Sequence, residues 1–404
     1  MNIISFLKQN KGFATKFVIA LAAIIFLFIK YPHTMVSVVI FIILLGILVF
    51  VHELGHFSVA KFFGIRVDEF GMGFPPRAKK LFHRNGTDYT LNWIPFGGFV
   101  KIYGEDSLEK GKQDPDYERS MGAKSWWKQI LVLIAGVTMN FLFAWFLFSI
   151  AFMAGAPTAI SGVDNPEKIK NLQLTVLQVM PGSPADKANV KAGDKILLIE
   201  TLDTTITGAN LTPEAFIKTV RTMPDNTPVH VQVEKIDKTV TDYLIIPQKG
   251  LTGDYPAIGV AVDQVGIYRE GFFKSIYSGL LNTLSAAQQT MHAFTKLIGD
   301  AFRGEADTAN LTGPVGLVSV VGDAQKVGIT YLIMLAALIS INLAVLNIIP
   351  FPALDGGRVV IVLIEAITRR KINANVVAWI NTIGFFLLIA LMLFITTKDV
   401  IKLF

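Results

Sequence analysis

The chain contains no cysteine in 404 residues. Disulfides, thiolate zinc sites and a cysteine nucleophile are thereby excluded, and any metal must be held by histidine or carboxylate. Charge is also scarce. Asp, Glu, Lys and Arg make up 17% of the chain, against about 25% in an average soluble domain. In its place the sequence is apolar: 52% of residues are hydrophobic, and uncharged runs occupy 35–51, 129–163, 327–354 and 372–397. A helix needs about 20 apolar residues to cross a bilayer. The runs exclude disorder and argue against an ordinary soluble enzyme; the chain reads as a polytopic membrane protein.

The 37 basic and 31 acidic residues leave a net charge of +6. The basic residues crowd the segments between apolar runs, which is the pattern that orients a chain in a membrane. Their distribution points to a lipid partner, and no nucleic acid is expected.

Residues 1–34 read as an extra N-terminal membrane segment. Lys8, Lys11 and Lys16 precede the apolar stretch 17–29, and Lys30-Tyr31-Pro32-His33-Thr34 after it makes a poor signal-peptide cleavage site. Residues 35–63 form the next membrane helix. The basic stretch 64–128 is expected on the cytoplasmic side. Within it, 79–84 and 87–93 flank Asn85-Gly86, which suits a tight type I′ turn, and 99–103 can add a third strand after Gly97-Gly98. Residues 129–156 cross outward. Residues 165–265 turn soluble, with alternating strands and a helix opened by Thr212-Pro213-Glu214. An amphipathic surface helix is expected at 272–303. Residues 327–368 cross back, interrupted by Pro350 and Pro352, and 374–397 form the last membrane helix. The fold class expected is therefore a polytopic α-helical membrane protein, with four core transmembrane helices plus an extra N-terminal one. A small membrane-associated β-sheet and an inserted extracytoplasmic α+β domain complete it.

The informative pentapeptide is His52-Glu53-Leu54-Gly55-His56. On an α-helix, residues four apart share a face, so both imidazoles project together. Neutral imidazole is a good zinc ligand, and the adjacent glutamate can take a proton from an attacking water. Three ionisable groups on a membrane helix are costly and point to function. A catalytic zinc usually has a third protein ligand. Asp355, at the inward end of an uncharged run, fits that place; an aspartate in a Gly-rich turn is the other reading.

With these residues in hand, the sequence resembles the site-2 protease family of intramembrane zinc metalloproteases. Phe70-Gly71-Met72-Gly73-Phe74 is similar to its loop after the zinc helix. Pro95-Phe96-Gly97-Gly98-Phe99-Val100-Lys101 is similar to its membrane-associated strand. Ala135-Gly136 with Asn140 resembles its second core helix, and residues 347–356 its third. The resemblance implies Asp355 as third ligand of Zn2+ beside His52 and His56, with Glu53 as the catalytic base. It also implies a substrate-contacting role for Asn347, Pro350, Gly97 and Gly98.

Residues 179–185 and 192–196 resemble the PDZ domain of many members, although Asn189-Val190 departs from the usual Gly-Leu. The activity implied is cleavage, within the bacterial inner membrane, of single-pass membrane proteins already trimmed outside by another protease. Anti-sigma factors and signal-peptide remnants are such substrates. The active site would face the cytoplasm and the PDZ-like domain the outside. A zinc-binding membrane scaffold or chaperone, or an ion-coupled transporter, are the alternatives from other classes.

Overall fold

The computed structural model describes residues 26, 29–105, 113–162, 169–224, 226–251, 253–304 and 313–401. The expected N-terminal segment at 17–29 lies outside the described residues but for Phe26 and Ile29. The helices are α1 (Pro32–Phe62), α2 (Trp126–Ala154), α3 (Pro184–Lys187), α4 (Pro213–Arg221), α5 (Phe272–Arg303), α6 (Pro314–Val327), α7 (Ile329–Ile348), α8 (Asp355–Thr368) and α9 (Ala374–Ile401). Among the described residues α1, α2, α7 and α9 are long and apolar enough to cross a membrane. The chain divides into two compact units. One holds the described residues up to 144 together with those of 283–322 and 336–401; the other holds 145–282 and 323–335.

In the first unit, Pro32 opens α1 in its first turn, where a missing N–H costs nothing, and Gly64 at φ 66° lies just past its end. The chain then forms an antiparallel pair, β1 (Val67–Arg84) and β2 (Thr87–Ile102). Asn85 and Gly86 join them at φ 49° and 72°, both left-handed as a type I′ turn requires. The expected hairpin is present, from Lys79 opposite Leu91 to Arg84 opposite Thr87. The expected separate third strand is not. Residues 99–102 continue β2 and pair with the start of β1, Phe70 lying opposite both Val100 and Tyr89. The start of β1 escapes the sequence pattern because Asp68, Glu69, Gly71 and Gly73 are poor strand formers. Tertiary contacts override them: the Phe70 ring meets Phe57 at 4.8 Å and Tyr89 at 6.1 Å. Many of the sheet's large side chains, Phe74, Leu81, Trp93 and Phe96 among them, are exposed. Beneath the sheet, Ala60, Ile65, Val67, Ile102, Met121, Val132 and Leu133 form a buried core that joins it to α1 and α2.

The segment expected as one interrupted membrane helix at 327–368 is two helices, α7 and α8. Pro350 and Pro352 lack the N–H that would continue α7, and Ala353 adopts a left-handed φ of 71°. Gly356 and Gly357 let the chain fold back on this turn, since a Cβ at Gly357 would lie 2.7 Å from the carbonyl carbon of Phe351. The sequence pattern does not predict helix α6. Its first turn is held by buried Asp399 of α9, which accepts the Gly316 N–H at 2.9 Å, a favourable place for an anion.

The second unit carries an antiparallel sheet built from β3 (Ala156–Ala159), β4 (Ile169–Val179), β5 (Lys195–Glu200), β6 (Thr205–Thr207), β7 (Val229–Glu234), β8 (Val240–Ile245) and β9 (Val260–Tyr268). Its order is β3-β9-β4-β5-β7-β8, with β6 on β5. Val229, Val231 and Val233 alternate inward on β7 and pack with Ile196, Ile199, Phe216 and Val220. Thr212 caps α4 through its hydroxyl, as its sequence suggests.

His230 points to the other face of β7, between Glu200 at 3.0 Å and Asp242 at 2.9 Å. The Glu200 hydrogen bond, with that to Asp242, raises the imidazole above its ordinary value of 6.5. A raised folded-state value stabilises the sheet fully below pH 6.5 and loses that contribution as pH rises through it. Hydrogen exchange of β7 and β8 in the full chain, corrected for intrinsic rate, should therefore be slower at about pH 6 than at about pH 8. His230→Gln should remove the difference; if it persists in that variant, the imidazole is not its source.

Candidate metal centre

Helix α1 places His52 and His56 one turn apart on the face toward α2, with both side chains buried. Gly55 permits this contact. A Cβ there would lie 2.7 Å from the carbonyl carbon of Ala135 and 2.8 Å from Met139 Cγ. Gly136 faces the two imidazoles directly: a methyl at that position would overlap His56 Nε2 and lie 2.8 Å from His52 Nε2. The small pair Ala135-Gly136 thus makes room for two rings between the helices.

The orientation of each ring is set at its other nitrogen. His56 Nδ1 donates to the main-chain carbonyl of Val132 at 2.8 Å. A helical residue covers the turn before it, so Gly136 leaves that carbonyl open to an outside donor. The tautomer so fixed carries its lone pair on Nε2. His52 Nδ1 lies 3.4 Å from Nδ2 of fully buried Asn140, whose Oδ1 has no hydrogen-bond partner among the described residues. A half-turn of the amide puts Oδ1 where it accepts the His52 Nδ1–H, which leaves the Nε2 lone pair free as in His56. Asn140 is in turn fixed by Ser340 of α7, whose hydroxyl donates to its main-chain carbonyl at 2.8 Å.

Asp355 opens α8 and completes the cluster. Its Oδ2 lies 3.0 Å from His52 Nε2 and 3.4 Å from His56 Nε2, and the two Nε2 atoms are 3.1 Å apart. Among the described residues Oδ2 is buried without a hydrogen-bond donor. Three lone pairs facing one another in a buried site are unfavourable unless a cation lies between them. Tetrahedral zinc with ligands near 2.0–2.1 Å sets its ligand atoms about 3.3 Å apart, which the three observed separations bracket. The donor set, two imidazoles and a carboxylate, is one zinc accepts, and the residues fit the metal.

Glu53 lies beside this cluster. Its Oε2 accepts the Val100 N–H of β2 at 3.1 Å. A cavity of about 220 Å³ is lined by His52, Glu53, Asn140, Asn347 and Asp355. The structure thus brings Asn347 to the same cavity as the three metal-binding candidates. Gly97 and Gly98 pack on α1, where a Cβ would lie 2.8 Å from Val49 Cγ1 and 3.9 Å from Glu53 Cγ respectively. Pro350 does not line the cavity; it sits just beyond the end of α7. In the sequence, Asn140 and Gly136 stand out only as parts of a motif. The signal that could have found them is a lone Asn and a Gly four apart in an uncharged membrane helix, where a buried amide needs a purpose.

The model of Peptidase family M50 matches residues 40–391. A protein of Clostridium perfringens named "Putative zinc metalloprotease CPE1693" is 33% identical over 357 residues, covering 88% of this chain and 95% of its own. Zinc metalloprotease RasP of Geobacillus kaustophilus is 28% identical over 450 residues, covering 92% of this chain and 99% of its own.

Purified protein should bind zinc, and Asn140→Leu should weaken that affinity by about 10–100-fold while Asn140→Asp, which keeps an acceptor, holds it. Gly136→Ala should lose zinc more completely, by steric displacement of both rings. Competition with a chelator reads the affinity, and circular dichroism checks the helices. Wild-type affinity in Gly136→Ala and Asn140→Leu would remove both residues from the site.

Proposed function

The chain belongs to peptidase family M50, and from that premise we propose that it cuts single-pass membrane proteins within their membrane segments. It is a multi-pass membrane zinc metallopeptidase. The observation that carries the finer reading is the cavity in which Glu53, Asn347 and the His52–His56–Asp355 cluster meet. That cavity belongs to helices that are apolar enough to cross a bilayer.

In this reading His52, His56 and Asp355 hold the metal. When bound, zinc supplies a Lewis acid that polarises the scissile carbonyl and acidifies an attacking water. Glu53 takes the proton at its carboxylate and delivers it to the leaving amine nitrogen. The Val100 N–H steadies one carboxylate oxygen and leaves the other to move the proton. A membrane-spanning substrate must first lose its helical hydrogen bonds, and strand pairing is the economical way to satisfy the freed groups. Gly97 and Gly98 then offer main-chain groups beside Glu53, and the Asn347 amide donates to the substrate's freed carbonyl. Pro350 ends α7 and keeps Asn347 in its last turn.

The orientation inferred sets this end of the bundle toward the cytoplasm of a bacterial inner membrane. Lys61 at the end of α1, Lys128 in the first turn of α2, and Arg369, Arg370 and Lys371 between α8 and α9 support it. The strand-rich domain of β4 to β9 is then extracytoplasmic and PDZ-like. The substrates would be proteins already trimmed on that side, such as anti-sigma factors or signal-peptide remnants.

Glu53→Gln should keep its zinc and lose about 10²–10⁴-fold in cleavage rate. Mass spectrometry of membranes from cells carrying this variant should show accumulated membrane-segment peptides, which identifies the substrates. Undiminished cleavage with Glu53→Gln would sink the protease assignment to this site and return the scaffold and transporter readings.

A further inference from the structure

Helix α1 ends at Lys61-Phe62 and the chain continues through Phe63, while α2 begins at Trp126-Trp127-Lys128. The Phe63 and Trp127 rings meet edge to face at 5.6 Å, and Lys128 Nζ lies 5.7 and 5.3 Å from their centroids. Tryptophan and lysine at the shared ends of two membrane helices mark the headgroup level of a bilayer.

At this same end lies a pocket of about 600 Å³ whose walls include Phe57, Lys61, Ile65, Arg84, Tyr89 and Arg119. Three cations line it, and among the described residues none that lines it is acidic. Their charges are poorly met. Lys61 Nζ donates to the Asn85 carbonyl at 2.9 Å and makes no ion pair among the described residues. Arg84 has no ion-pair partner among the described residues. Arg119 stands 3.7 Å from Asp116, a carboxylate that Arg66 already holds at 2.7 Å. Closing off the helix end asks for one cation, which Lys61 supplies; it does not explain two arginines more. The Phe57 and Tyr89 rings, 6.0 Å apart, add apolar wall.

We propose that this pocket binds the phosphate of an anionic membrane lipid. Arginine presents paired donors that match phosphate oxygens, and basic pockets at headgroup depth recognise acidic lipids. The apolar wall at that depth favours a lipid over free phosphate, which would need none. An occupant joins Arg84, at the tip of the β1–β2 hairpin, to Lys61 on α1. Those two elements also meet at Glu53 through the Val100 N–H. Lipid binding thus braces the sheet against the helix that carries His52 and Glu53.

The test uses the full-length, zinc-loaded protein in micelles doped with phosphatidylglycerol or phosphatidylcholine, with bound lipid read by native mass spectrometry. Wild type should retain phosphatidylglycerol preferentially, and Arg84→Gln/Arg119→Gln should lower that preference by about 30-fold. Arg84→Lys/Arg119→Lys keeps the charge without the paired donors and should fall between the two, which also guards against a folding defect in the glutamine pair. Arg369→Gln/Arg370→Gln removes the same charge at another turn outside the pocket and should lower the preference much less. Absence of a preference in wild type, or equal losses in both glutamine pairs, overturns the site. Displacement of phosphatidylglycerol by millimolar inorganic phosphate overturns the lipid assignment in favour of a soluble phosphate.

Discussion

The lone pairs of His52 Nε2, His56 Nε2 and Asp355 Oδ2 crowd within 3.4 Å of one another where α1 and the start of α8 meet. Such an arrangement needs a cation at its centre, and that need accounts for the surrounding residues. Each imidazole must hold its remaining proton on Nδ1, so each requires an acceptor on the far side of the ring. The Val132 carbonyl serves His56, and the Asn140 amide is placed for His52. Two rings with partners behind them need width between α1 and α2, which Gly136 supplies by having no side chain. Where the rings are not, Gly55 lets the same two helices close together.

The third candidate ligand, Asp355, comes from a part of the chain that cannot be regular helix. To reach the cluster, Asp355 must lie at a helix start that faces back toward α1. The two prolines and the left-handed Ala353 achieve this by ending α7 and turning the chain within six residues. Arg358, one turn into α8, bonds both the carboxylate and the main-chain carbonyl of Glu105, which ties α8 to the segment following β2. A non-glycine residue held at positive φ two positions before Asp355 is the kind of local cost that a fold sustains where position matters more than stability.

Protein hydrolysis and a bilayer make opposed demands. The chemistry needs water and charge, whereas the spans need neither. In this family member the two meet on α1, where the His52–His56–Asp355 cluster, the Glu53 carboxylate and the apolar-surfaced β1–β2 sheet all sit on or against the helix. The sheet is therefore more than a cover. Its Val100 N–H reaches the Glu53 carboxylate, and its close approach at Gly97 and Gly98 is what allows that reach.

The linear sequence determined much of this by itself. Helical period puts His52 and His56 on one face whatever else the chain does, and the uncharged runs leave little choice but membrane spans. The Asn85-Gly86 turn and the Thr212 cap are equally local, since backbone sterics and one hydroxyl decide them. Asp355 was visible as an anomaly in an apolar run, but 298 residues separate it from His56. Only the turn after α7 shows that its oxygen meets both imidazoles. The strand at 67–72 and helix α6 were hidden because their own propensities are weak, and partners far along the chain hold them. Asn140 and Gly136 were visible as parts of a motif, but what each does was hidden for a different reason. A buried amide and a missing side chain acquire meaning only from what packs against them, and packing between helices is a property of three dimensions that no local pattern encodes.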